Sequence, residues 1–194
     1  MISVIILAAG ESKRMGKTKQ LMVYNGRTLI ERAVDVASES VAEETIVVTG
    51  HDARLVEKAI KNKAVKIVKN RRYREGMGSS IRTGISSVAS DADGVIIMLS
   101  DQPGLTPDVI NTLVNTFKTK NGGIVVPVYL GTKGNPVLFD IKYREELLNL
   151  AGDTGARGVL QGHPADVTEV EISSHGILLD IDTEEDFRRY TGLQ

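Results

Sequence analysis

Between Gly10 and Lys19 the chain reads GESKRMGKTK, with the cations Lys13, Arg14, Lys17 and Lys19 set against one acid, Glu11. Its glycines let backbone N–H groups converge on an anion and its side chains supply countercharge, so the segment is suited to a polyphosphate. Charge runs of this kind are also common as solvated loops. A carboxylate stands at a second place of interest: Asp101, within SDQP, directly follows GVIIML at Gly94 to Leu99, the most hydrophobic run in the chain. An Asp there suits an ordinary turn. The end of a central parallel strand is also where such sheets gather ligands, and this favours a role in chemistry.

Other chemistries find less support. Gly10 to Thr18 approaches the phosphate loop GxxxxGK[ST], but five residues separate its glycines where that motif has four. The extra residue breaks the wrap of N–H groups around one phosphate. GMGSSI, at Gly76 to Ile81, has two glycines of GxGxxG, with Ile81 in place of the third and no assignable acid for a ribose. His51, His163 and His175 share no ligand spacing, which argues against zinc, and no GxSxG is present. The absence of cysteine excludes thiol nucleophiles and disulfides and fits a reducing compartment. A net charge of -1 gives no general case for nucleic acid or a membrane surface. No apolar run reaches the roughly 18 residues of a span, and Met1 leads into a strand rather than a signal peptide. The expectation is a soluble, cytoplasmic protein.

The elements that must position these residues alternate. Val4 to Leu7 reads as a buried strand, and Ala8, Ala9 and Gly10 allow a tight turn into the basic loop. Thr28 can cap a helix whose apolar residues Leu29, Ile30, Ala33, Val34 and Ala37 recur at helical spacing. Strands are expected at Thr45 to Thr49 and Val65 to Val68, with a helix holding Leu55, Val56, Ala59 and Ile60 between them. A helix starting near Ser79 or Ser80 follows the basic loop 70–78, and its start is a candidate anion or base site. Thr106-Pro107 opens another helix, and Ile124 to Val128 and Val137 to Phe139 read as strands. A helix around Glu145 to Leu150 comes next, then strands near Val167 to Ile172 and Ile177 to Leu179 and a helix from about Thr183 to Tyr190, with Asp186 completing a capping box. Such alternation predicts βαβ units on a parallel sheet, and 194 residues without a linker or repeat predict one domain.

Six stretches also resemble, in order, a known family: LAAGESKRMGKTKQL at Leu7 to Leu21, GMGSSIRTG at Gly76 to Gly84, LSDQP at Leu99 to Pro103, GNP at Gly134 to Pro136, GDTGAR at Gly152 to Arg157 and DIDTEEDF at Asp180 to Phe187. Together they cover nearly the whole chain, which resembles the nucleotidyltransferases related to the molybdenum cofactor cytidylyltransferases, in the MobA-like NTP transferase family. The resemblance implies a single-domain, Rossmann-like three-layer α/β nucleotidyltransferase fold with a mostly parallel central sheet. It would span 1–194, with the nucleotide on about 1–104 and the acceptor on about 105–194.

The implied reaction transfers CMP from CTP to the phosphate of a molybdopterin-type cofactor. The acceptor's own oxygen attacks the α-phosphate, so charge neutralisation and positioning suffice. On this resemblance Arg14, Lys19 and Asp101 are catalytic, and Asp101 and Asp182, 81 positions apart, hold one Mg²⁺ between them. Without it, Arg14 and Lys19 read as surface cations and Asp182 as the residue before a helix cap. Leu7, Ala8, Ala9 and Gly10, facing Gly78, Ser79 and Ser80, are the expected nucleotide pocket, with room for a pyrimidine. Asn135, Asp153 and Arg157 are the expected acceptor contacts. Ala9 in LAAG, followed by KQL, resembles the CTP users, whereas the guanylyltransferase branch tends to LAGG. A recipient molybdoenzyme or its chaperone is the implied protein partner. Two alternatives stay open: a nucleotidyltransferase for another acceptor, such as a GTP-dependent molybdopterin guanylyltransferase or a sugar- or isoprenoid-phosphate cytidylyltransferase, and a non-catalytic nucleotide-binding accessory protein.

Overall fold

A computed structural model of the chain describes residues 1–12 and 15–192. In chain order the elements are β1 (Ile2–Ala8), a hairpin of β2 (Val23–Tyr24) and β3 (Arg27–Thr28), α1 (Leu29–Ser38), β4 (Glu44–Thr49), α2 (Ala53–Ala59) and β5 (Lys66–Lys69). Then come α3 (Met77–Ile85), β6 (Gly94–Leu99), α4 (Pro107–Lys120), β7 (Ile124–Tyr129), β8 (Thr132–Lys133) and β9 (Val137–Asp140). The chain ends with α5 (Arg144–Leu148), α6 (Arg157–Gly162), β10 (Val167–Glu171) and α7 (Glu184–Thr191).

The main sheet runs β10-β7-β9-β6-β1-β4-β5, with β8 paired to β7. β1 is parallel to β4 and β6, β4 to β5, and β10 to β7, while β9 runs antiparallel between β6 and β7. β6 lies in the middle, as its uninterrupted hydrophobicity predicts. Alternation along β1 divides the core into two layers. Val4, Ile6 and Ala8 pack with residues of α1, α2 and α4, whereas Ile5, Leu7 and Ala9 pack with residues of α3, α5 and α6. The result is a three-layer α/β fold with a mostly parallel sheet.

Register then aligns the functional edge. Leu7 pairs with Leu99 and Ala8 with Thr49, so β1, β4 and β6 release their loops side by side. Local chemistry fixes the helix starts: Thr28 and Glu31 form a capping box on α1, Thr183 and Asp186 one on α7, and Pro107 opens α4. A smaller apolar cluster of Met15, Met22, Leu29, Ile181 and Phe187 docks the C-terminal segment against the first loop.

Three expectations need correction. Ile177 to Leu179 is no strand: His175–Leu178 is a 3₁₀ turn, and a Cβ on Gly176 would lie 2.1 Å from the Gly104 carbonyl oxygen. That backbone contact, which no hydrophobic pattern encodes, holds the segment in a turn. α3 begins at Met77 rather than near Ser79, directly after Gly76 at φ +96°. α5 stops at Leu148, short of Leu150. No helix among the described residues is long and apolar enough to cross a membrane.

Candidate active site

Lys19 lies on a 3₁₀ turn, Lys19–Leu21, at the end of the basic loop, and its backbone N–H donates to the Ser12 hydroxyl at 3.2 Å. Its ammonium donates to Asp101 and, at 3.1 Å, to Asp182 Oδ1. Asp101 arrives from the end of β6. Asp182 arrives on the segment just before α7: the Ile181 N–H donates to the Asp101 carbonyl oxygen at 3.0 Å, and the buried Ile181 side chain anchors the segment. One backbone hydrogen bond thus places the two carboxylates on one ammonium. Burial works against the charge on Lys19, but Asp101 and Asp182 outweigh it and shift its pKa upward.

Asp180 stands beside this pair, accepting from Gln102 Nε2 at 2.8 Å. Desolvation raises its carboxyl above the usual range, and the negative charge of Asp101 adds to the shift. The edge is therefore rich in carboxylates, two of them held by the Lys19 ammonium.

Two cavities meet here. The first, about 440 Å³, is lined by Leu7, Ala9, Gly10, Lys19, Ser80, Asp101 and Asp182, with Tyr73, Arg74 and Gly76 on the far wall. The second, about 670 Å³, is lined by Asn135, Asp153, Arg157, Lys133 and Asp180 over an apolar floor that includes Ile97 and Phe139. Met77, Leu99 and Asp153 belong to both, so each cavity takes walls from both halves of the chain. Both volumes fall in the range of small-molecule sites.

Among the expected nucleotide residues, Leu7, Ala9, Gly10 and Ser80 line the first cavity, whereas Ala8, Gly78 and Ser79 do not. Ala8 points into the opposite core layer. Gly78 is a close-packing position, where a Cβ would lie 3.1 Å from the Leu150–Ala151 backbone. Ser79 is 3% exposed, and its hydroxyl bonds the Arg72 and Gly76 carbonyls. The start of α3 is not an open anion site either, since Met77 N–H donates to Asp153 Oδ1 at 3.2 Å and Gly78 N–H to the Gly152 carbonyl at 2.9 Å. The three expected acceptor residues, Asn135, Asp153 and Arg157, all line the second cavity. Arg14 lies outside the described residues.

The donor set fits a divalent cation. Asp101 Oδ1 is buried without a hydrogen-bond partner, which is costly for a carboxylate oxygen unless a cation takes it up. Among the described residues no group of three or more His, Cys, Asp or Glu side chains is arranged to hold a metal. Two carboxylates, with the rest of the shell from phosphate and water, is the arrangement Mg²⁺ favours.

Sequence reasoning missed the anchor of the far wall. Asn70 is 3% exposed; its Nδ2 donates to the Ser79 and Ser80 hydroxyls at 2.8 and 3.1 Å, and its Oδ1 accepts from Arg72 N–H at 2.8 Å. The last bond is an Asx turn, and an Asn at a strand end before a basic loop was the available signal. It also missed Asp180 and the shared wall residue Met77.

A family model described as a MobA-like NTP transferase domain matches residues 4–167. Nicotine blue oxidoreductase of Paenarthrobacter nicotinovorans is 30% identical, with 97% of this chain and 95% of that protein aligned. The molybdenum cofactor cytidylyltransferase of Escherichia coli (strain K12) is 28% identical over 98% of this chain and 97% of its own length. Rv0371c from Mycobacterium tuberculosis H37Rv has a similar structure, with TM-score 0.86 and 29% identity over 98% of this chain and 97% of that one. A complex of Rv0371c with manganese aligns at TM-score 0.80 and 27% identity, over 100% and 99% of the two chains. With the family model spanning most of the sheet and the loops that frame both cavities, the chain belongs to the family of MobA-like NTP transferase domains.

Proposed function

We propose that this protein transfers CMP from CTP to the phosphate of a molybdopterin-type acceptor. The observation that carries the reading is a pair of cavities that share a wall of Met77, Leu99 and Asp153, the first of them lined by Lys19, Asp101 and Asp182. An acceptor phosphate oxygen forms a bond to the α-phosphorus of CTP while the bond to the bridging oxygen breaks and pyrophosphate leaves. Ala9, Gly10 and Ser80 would enclose the base, and Arg14 and Lys19 would neutralise the phosphates. Asn135, Asp153 and Arg157 would place the acceptor for in-line attack. The nucleotide part is then about 1–104 and the acceptor part about 105–194, with Asp153 and Asp182 reaching back across that division. Asp101 and Asp182 would hold Mg²⁺, which when bound supplies charge stabilisation at the phosphates.

The oxidoreductase name of one relative favours a second reading, in which the first cavity takes a reduced dinucleotide and the second an oxidised aromatic substrate. One experiment separates the two. Pyrophosphate release is assayed with CTP, GTP and ATP, each with molybdopterin and with sugar phosphates, alongside NAD(P)H consumption. Release with CTP and molybdopterin supports the proposal. Release only with another pair reassigns the substrate, and NAD(P)H oxidation without release refutes transfer. Tight CTP binding with no release under any acceptor marks an accessory protein.

A further inference from the structure

We infer that Lys19 is a tethered counter-ion that occupies the metal position until a polyphosphate arrives, so that the protein takes up a divalent cation together with its nucleotide rather than before it. This rests on the proposed reading of the site as a metal and polyphosphate centre. The ammonium donates to one oxygen of Asp101 and one of Asp182, the same two carboxylates that would ligate the metal. Both ends of the Lys19–Asp101 pair are sheltered, with side chains 15% and 13% exposed. A carboxylate-bound Mg²⁺ sits about 2.1 Å from its oxygens. Two oxygens sharing one ammonium are within two hydrogen-bond lengths, about 6 Å, of each other, so metal and ammonium would compete for one space. They also repel, and like charges this close do not share a sheltered site.

The lysine has somewhere to go. Its stem is flexible, and its base is fixed by the bond from its backbone N–H to Ser12. Gly10, Glu11 and Ser12 line the same cavity, so a polyphosphate lying along this loop would face the ammonium as it leaves the acids. The exchange conserves pairing: the metal takes the carboxylates, including the unpartnered Asp101 Oδ1, and the phosphates take the ammonium. Without a phosphate, a metal entering the site would strand a desolvated ammonium. Metal and nucleotide affinities are then coupled, and the coupling is reciprocal.

The test is Mn²⁺ binding followed by electron paramagnetic resonance, with no nucleotide present, on the wild type, Lys19→Met, Lys19→Gln and Asp101→Asn. Wild type should bind Mn²⁺ weakly, and either Lys19 variant at least 10-fold more tightly. Thermal melts give a second readout: Mn²⁺ should raise the Tm of both Lys19 variants by more than it raises that of the wild type. A Lys19 variant that melts early in metal-free buffer but regains its Tm with Mn²⁺ supports the inference, and one that Mn²⁺ does not rescue overturns it. Equal Mn²⁺ affinity in wild type and both variants, or tight binding by wild type alone, also overturns it. The underlying reading fails separately: if Asp101→Asn binds Mn²⁺ as well as Lys19→Met does, the carboxylates are not the metal site.

Discussion

Replacing Asn70 with alanine should loosen one wall of the first cavity, which Asn70 itself does not line. The substitution deletes hydrogen bonds to the Ser79 and Ser80 hydroxyls and to Arg72 N–H, while the bond from the Asn70 backbone N–H to the Thr49 carbonyl survives. Each neutral bond contributes about 1 kcal/mol net. Ser79 keeps its two carbonyl acceptors and Arg72 is an exposed residue whose freed N–H is near water, so the sum is about 2–3 kcal/mol. For a chain of this size each kcal/mol moves Tm by about 2–4 °C, which predicts a fall of about 4–12 °C. Because Ser80, Tyr73, Arg74 and Gly76 line the cavity, KM for CTP should rise about 10-fold, with a smaller change in kcat. Calorimetry and steady-state pyrophosphate release measure the two effects. Asn70→Asp keeps the acceptor for Arg72 and should fall between wild type and alanine on both. A Tm within 2 °C of wild type together with an unchanged KM would refute the argument that these buried bonds hold the wall.

Asp101→Asn and Asp182→Asn should each lower kcat by about 100-fold to 1000-fold, while a melt in metal-free buffer shows Tm unchanged or raised; full activity in Asp182→Asn would return that residue to helix capping alone. Gly84→Ala should destabilise by about 1–3 kcal/mol in urea titrations, since its Cβ would lie 2.5 Å from Ile5 Cγ2 and 3.2 Å from Val48 Cγ2. Asp166 is bonded by Lys142 and Tyr143, which lower its pKa. Its contribution is therefore present above the ordinary Asp value and lost as pH falls through the folded value, so the stability gap between wild type and Asp166→Asn should close on acidification.

Where side chains enter the core, the sequence was readable, because one physical demand dominates each position. The buried strands β1, β4 and β6, the caps at Thr28 and Thr183, and Pro107 at the start of α4 all report local preferences that the tertiary structure does not contradict. Asn135, Asp153 and Arg157, the expected acceptor contacts, were reached only through family resemblance, and they line one cavity because β9 turns back antiparallel beside β6 while the 150–157 loop is clasped to the start of α3. That clasp depends on Gly76 and Gly78, where a Cβ would come within 2.5 and 3.1 Å of the 150–153 segment. A glycine in sequence does not say what approaches it. Asn25-Gly26, both at positive φ, is by contrast a plain hairpin signal that was passed over.

The carboxylate edge shows why such sites resist prediction from pattern alone. Asp101 and Asp182 add to the cost of charging the desolvated Asp180, and no local preference would gather the three. What gathers them is apolar: Ile181 and Phe187 bury themselves against Met15, Met22 and Leu29, and the DID segment follows, held by the bond from Ile181 N–H to the Asp101 carbonyl and by that from Gln102 Nε2 to Asp180. Hydrophobic burial of neighbouring residues thus holds acids where their own charges oppose it. Lys19 contacts both Asp101 and Asp182, yet Asp101 Oδ1 stays buried without a hydrogen-bond partner. An edge built this way is poised to accept more positive charge, and a divalent ion would supply it to the carboxylates while also neutralising part of the charge of an anionic substrate.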